Sequence, residues 1–142
     1  MKVTKEQLRR MAEEVECGMK VYVNRATLEF REVPDYGDFS DFEEEMEASE
    51  AQVEAEWEDY IVIEPMGSRE GFAIMEEFLE EVTDRRLQES LINALNRKSP
   101  FANFKFIVEG SSHRQQWFDF RAKKYREYVK EELEMEGIGV EE

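Results

Sequence analysis

Met19-Lys20-Val21-Tyr22-Val23-Asn24-Arg25-Ala26-Thr27-Leu28-Glu29-Phe30-Arg31-Glu32-Val33 is the stretch on which the fold class turns. Met19, Val21 and Val23 alternate with Lys20 and Tyr22, and Leu28 and Phe30 point forward in the second half. This is the period-two signature of a β-hairpin, turning at Asn24-Arg25-Ala26 and closed by Pro34. One further strand is visible, Tyr60-Ile61-Val62-Ile63, a short apolar run ended by Pro65. It has no hairpin partner of its own, so it is expected to pair with the first two strands.

The flanking sequence is helical. Upstream, Thr4 and Gln7 form a capping box, Val3 can staple to Leu8, and Leu8, Met11, Ala12 and Val15 share one face until Gly18. Downstream of Ser68 the spacing predicts four helices. Phe72, Met75, Phe78, Leu79 and Val82 stripe the first; Leu87, Leu91, Ala94 and Leu95 stripe the second, behind an Asp84 cap. Ser99-Pro100 opens a third with Phe101, Phe104, Ile107 and Val108, stopped by Gly110. Ser112-x-x-Gln115 opens the last, with Phe118, Ala122, Tyr125, Val129 and Leu133 inward. The expectation is one α+β domain over residues 1–142: a three-stranded, mainly antiparallel sheet (19–24, 27–33, 59–64) with about five to six helices, covered by an all-helical C-terminal half.

Residues 35–59 carry 12 acids and no base. That composition alone suggests a disordered linker, but Ser40-x-x-Glu43 is a capping box, and Phe42, Met46, Val53 and Trp57 share a helical face. An acidic amphipathic helix over 41–58 is expected. The net charge is −16 and unevenly laid out. Residues 1–84 hold 8 Lys/Arg against 25 Asp/Glu, 85–130 hold 11 against 4, and 131–142 hold 0 against 6, so segments of −17 and −6 flank one of +7. A strongly acidic chain argues against general nucleic-acid binding unless a local basic patch overcomes phosphate repulsion.

Several function classes drop out. The longest apolar runs fall far short of the roughly 20 residues of a membrane span, and the start of the chain has no signal-peptide core, so a cytoplasmic location is expected. Cys17 is the single cysteine and His113 the single histidine, which excludes an intrachain disulfide and a Cys/His zinc site. Glu43-Glu44-Glu45 cannot converge on a cation, because consecutive helical residues point about 100° apart. No metal or cofactor is expected, and no catalytic residue is assigned.

Arginines at helix beginnings are electrostatically out of place, since a cation there costs about 0.3–1 kcal/mol. A Gly-Ser helix start with an arginine is also what an anion site needs: unpaired N–H groups, a hydroxyl and a guanidinium fork. Ser111, Ser112, His113 and Arg114, with Arg69, are the anion-binding candidates. Arg97, Lys98, Lys105, Arg121 and Lys124 form a candidate basic surface, which the aromatics nearby would turn toward RNA. An enzyme would have to use His113 with Ser111, Ser112, Glu109 or Asp119, which are neighbours only in sequence. The leading expectation is a small acidic adaptor that binds a protein partner through Glu43, Glu47, Glu50 and Glu54. The alternative is anion or nucleic-acid binding through 85–130.

Tyr60-Ile61-Val62-Ile63-Glu64-Pro65, Ile74-Met75-Glu76-Glu77-Phe78, Pro100-Phe101-x-x-Phe104-Lys105 and Trp117-Phe118-x-Phe120-Arg121, followed by Lys124-Tyr125 and Gly137-Ile138, resemble a bacterial uncharacterised protein family, number 0158 in the UPF series. The resemblance covers residues 60–138 and implies no activity. Tyr22-Val23-Asn24-x-x-Thr27-Leu28-Glu29 is similar to that family's hairpin, with Leu28 where the family has glycine. If the glycine serves a special backbone angle, the turn here is expected to differ. Around the paired phenylalanines the family reads Gly-Arg-Gly-x-Phe-Arg-Arg-Phe-Lys-Asp. This chain has Arg97-Lys98-Ser99-Pro100-Phe101-Ala102-Asn103-Phe104-Lys105-Phe106, which leaves Arg97, Lys98 and Lys105 for any anion docked there.

Overall fold

The structure, a computed structural model, describes residues 2–34 and 59–141. The acidic stretch 41–58, with Glu43, Glu47, Glu50 and Glu54, lies outside the described residues. The described chain divides into two units, Met1–Met66 with Tyr125–Glu142, and Gly67–Lys124.

The first unit holds the sheet. Helix α1 (Lys5–Glu16) starts as its sequence dictates: the Thr4 hydroxyl accepts the Gln7 N–H at 3.1 Å, and the Gln7 side chain accepts the Thr4 N–H at 2.9 Å. Leu8, Met11, Ala12 and Val15 are buried, and Gly18 ends the helix at φ +91°. Strands β2 (Met19–Asn24), β3 (Phe30–Pro34) and β4 (Tyr60–Ile63) form an antiparallel sheet in the order β3-β2-β4. Val21 pairs with Ile63 and Val23 with Ile61, placing all four buried side chains on one face. A second, two-stranded sheet pairs β1 (Lys2–Val3) in parallel with β5 (Gly139–Val140), and the Glu141 N–H donates to the Val3 carbonyl at 2.8 Å. The end of helix α5 (Arg114–Met135) also belongs to this unit, with Tyr125, Val129 and Leu133 buried at i, i+4, i+8.

The hairpin corrects two expectations. Strand β3 begins at Phe30, three residues later than the expected Thr27, because residues 25–29 form the loop. The Asn24 N–H donates to the Glu29 carbonyl and the Leu28 N–H to the Asn24 carbonyl, both at 2.8 Å. The Asn24 side-chain oxygen accepts from the Ala26 and Thr27 N–H groups at 2.8 and 3.0 Å, an Asx-type closure. Leu28 stands at φ +63° and is buried. The residue in the glycine position of the resembled pattern therefore takes a glycine-like backbone angle without being glycine. Arg25 fastens this loop to the end of α5, its guanidinium 2.7 Å from the Glu136 carboxylate.

The second unit is helical: α2 (Ser68–Leu79), α3 (Arg85–Leu95), α4 (Pro100–Glu109) and the start of α5. Asp84 caps α3 as expected, accepting from Arg86 and Leu87 N–H at 3.0 and 3.2 Å. Phe78 and Phe104 are fully buried and Trp117 nearly so, in an edge-to-face cluster with centroids 5.1 Å apart for Phe78–Trp117 and 4.9 Å for Phe104–Trp117. The expected inward stripe of α5 is shifted: Trp117 takes its first position, and Phe118 is half-buried beneath the Arg114 guanidinium, 5.3 Å from its ring. The expected Ser112 capping box does not form. Ser111, one residue earlier, accepts the His113 N–H at 3.1 Å, and α5 begins at Arg114. Five helices and a three-stranded antiparallel sheet among the described residues, with a helical C-terminal half, make the protein α+β.

Candidate functional site

Among the described residues, the helical hairpin α3–α4 exposes three large apolar side chains, Ile92, Phe101 and Phe106. Its inner sides are apolar: Leu91, Ala94 and Leu95 on α3, Phe104 and Val108 on α4. Its connection is tightly tied. The Asn103 side-chain amide donates to the Lys98 carbonyl at 2.8 Å, the Asn96 amide to the Ile92 carbonyl at 3.0 Å, and the Asn103 N–H to the Ser99 carbonyl at 3.1 Å. Ser99 holds φ 53°, ψ 54° before Pro100, and its hydroxyl caps nothing. Proline disfavours a right-handed helical residue before it, and the left-handed well costs an L-residue about 1–2 kcal/mol. Like Leu28, Ser99 occupies a glycine position of the resembled pattern.

Because α4 bears aromatics on several sides, those that do not face Phe104 must face outward. Residues 101, 105, 102 and 106 fall in sequence around one arc of about 140°. All four are exposed: Phe101 at 43%, Phe106 at 83%, with Ala102 and Lys105 between them. Phe101 rests one edge on α2, against Phe72 at 6.4 Å, where Gly71 leaves room for its ring. Arg97, Lys98 and Lys105 make no ion pair with any described residue. Contiguous exposed apolar patches rimmed by polar residues are a general feature of interaction surfaces.

The other expected basic residues behave differently. Lys124 pairs with Glu77 at 3.0 Å and lies 5.4 Å from the Phe120 ring; Arg121 is also engaged. In the 111–114 turn, the Ser111 hydroxyl donates to the Val108 carbonyl at 2.6 Å while accepting the His113 N–H, so its hydrogen bonding closes the turn. Ser112 Oγ lies 3.3 Å from His113 Nδ1. Arg114 packs on Phe118, and Arg69, in the first turn of α2, shares no hydrogen bond or ion pair with the turn. Asp119 accepts from Gln115 at 2.9 Å, and no acid bonds His113 among the described residues. Cys17 is an exposed thiol, and among the described residues no group of His, Cys, Asp and Glu is arranged to hold a metal. No helix among them is long and apolar enough to cross a membrane.

Sequence reasoning named Arg97, Lys98 and Lys105 but placed Phe101 inward and passed over Phe106. The signal was present in the arc arithmetic, since Phe106 is about 200° from Phe104 around α4.

A family model described as an uncharacterised protein family, UPF0158, matches residues 35–140. A Pseudomonas aeruginosa protein named UPF0158 protein PA5073 is 30% identical over 86 residues, spanning 60% of this chain and 56% of that relative. No solved structure matches.

Proposed function

We propose that this chain, which belongs to the uncharacterised protein family UPF0158, is a cytosolic, non-catalytic adaptor that docks an acidic protein partner on the outer arc of α4. One observation carries this reading: Phe106 is 83% exposed on an ordered helix, on an arc with Phe101 and Lys105. Leaving such a ring in water forgoes about 1.5–3 kcal/mol that burial in an interface recovers. Lys105, Arg97 and Lys98 lack acid partners among the described residues, so an incoming carboxylate displaces no ion pair with any of these. Charges at that rim set on-rate and partner choice, while the two phenylalanines anchor. The 12 acids and no base of residues 35–59 give that stretch of sequence the opposite charge, which suits an adaptor. The lone thiol, Cys17, suits a reducing compartment.

The test uses the tagged full chain, cross-linked in cells and recovered with its partner. The purified partner's affinity is then measured by calorimetry at low and high salt. Phe106→Ser should weaken it at least tenfold at either salt, and Lys105→Glu should weaken it mainly at low salt. A partner whose affinity survives both substitutions refutes the docking arc. Binding of single-stranded oligouridylate with the same Phe106 dependence would refute the protein partner in favour of RNA.

A further inference from the structure

A cavity of about 410 Å³ opens in the sheet unit, away from α4 in the sequence and lined by α1, β3, β4 and the residue before β3. Small-molecule sites run from about 300 to 1,000 Å³. Four charged residues line it, Arg10 and Arg31 against Glu29 and Glu32, together with the rings of Phe30 and Tyr60. None of the four charges is in an ion pair with another described residue. The Arg10 guanidinium instead sits 5.5 Å over the Phe30 ring. Around Glu32 negative charge is in excess: Glu14 is pushed above the ordinary carboxylate range, first by burial and then by Glu32 and Glu13, with Arg10 opposing.

A plain anion in this cavity meets two carboxylates, and a plain cation meets two guanidiniums. A molecule bearing both charges meets a partner for each. The aromatic walls favour an apolar body between them. We propose that this cavity binds a small zwitterion, an amino acid with an apolar or aromatic side chain, its carboxylate on Arg10 and its ammonium on Glu32, which share the face of the sheet that carries Phe30. This is independent of the α4 docking arc.

Three probes separate the possibilities in an NMR titration of the full chain: L-phenylalanine, N-acetyl-L-phenylalanine, which keeps only the carboxylate, and L-phenylalaninamide, which keeps only the ammonium. L-phenylalanine should shift the backbone amides of residues 29–32 and 60 and bind at least about fivefold tighter than either analogue. Arg10→Gln should bring its affinity down to that of the amide, and Glu32→Gln down to that of the N-acetyl form. Both residues are exposed, and an unchanged spectrum outside the cavity verifies that each variant folds. Equal affinities for the three probes, an N-acetyl form as tight as the amino acid, or no shifts at about 10 mM of any probe overturns the proposal.

Discussion

Replacing Ser99 by glycine should stabilise the protein. Ser99 is exposed, its hydroxyl makes no capping bond, and its backbone sits at φ 53°, ψ 54°. Glycine reaches this region without the steric penalty of about 1–2 kcal/mol that a Cβ incurs. Against this stands the extra freedom of glycine in the unfolded chain, about 0.4–1 kcal/mol. The net gain is on the order of 0.5–1 kcal/mol. Ser99→Ala is the control, because it removes the hydroxyl and keeps the Cβ, so its stability should stay within about 0.5 kcal/mol of wild type. Urea denaturation followed by far-UV circular dichroism reads both, and equal slopes show that the midpoints report stability. The backbone bond from Asn103 N–H to the Ser99 carbonyl needs no side chain and persists in both variants. A glycine variant less stable than the alanine variant would show that position 99 is not held in the left-handed well, and the reasoning would fail.

At the buried Leu28, φ +63°, Leu→Ala keeps the strain while Leu→Gly relieves about 1–2 kcal/mol of it, so the glycine variant should be at least as stable; in the helix at Leu8 the same pair should fall in the usual order, alanine above glycine. Urea midpoints for the four variants check this, and the same order at both positions counts against it. Phe104→Ala should cost about 3–5 kcal/mol and Phe106→Ser less than about 0.5 kcal/mol, so thermal midpoints that fall together would contradict the assigned faces of α4. Asn24→Ala removes the acceptor of two loop N–H groups and should destabilise by about 1–2 kcal/mol in the same urea assay, where no change would deny the loop closure. Glu14 has its folded pKa raised, so its ionised form opposes folding above that pKa and the opposition is relieved as the pH falls through it. Glu14→Gln should therefore be more stable than wild type at neutral pH, with the difference closing as the carboxyl protonates; a difference constant from neutral to acid pH would exclude this cause.

The sheet and helices were legible where one local signal acted without a rival. Thr4 and Gln7 have no competing hydroxyl beside them, and the capping box appears as written. At Ser111-Ser112 two serines offer the same chemistry one residue apart, and the one whose hydroxyl also reaches the Val108 carbonyl prevails. The pairing of Lys2–Val3 with Gly139–Val140 joins two-residue strands, too short to show any period, from opposite ends of the sequence. On α4 the aromatics at 101, 104 and 106 point in three directions, so composition reads as core all round while only Phe104 is buried in it. Spacing within α4 separates the face of Phe104 from that of Phe106, while which of those faces is buried is decided by Phe78 and Trp117 beyond the helix.

The two glycine positions show what a sequence pattern can and cannot imply. A non-glycine residue in such a position reads most simply as a changed turn, since the left-handed well is unfavourable to it. Both turns instead take the left-handed backbone with Leu28 and Ser99, at a combined cost of about 2–4 kcal/mol, a sizeable part of ordinary domain stability. Around each turn the hydrogen bonds overdetermine the backbone: Asn24 closes one through its side chain, and Asn103 holds the other through Lys98 and Ser99. The backbone at 97–100 thus follows from the bonds around it, which leaves side chains there to vary in charge and size without moving α4. For the proposed docking arc, partner choice should then depend on Arg97, Lys98, Phe101, Lys105 and Phe106, and substituting Ser99 should alter stability while leaving any binding through Phe106 unchanged.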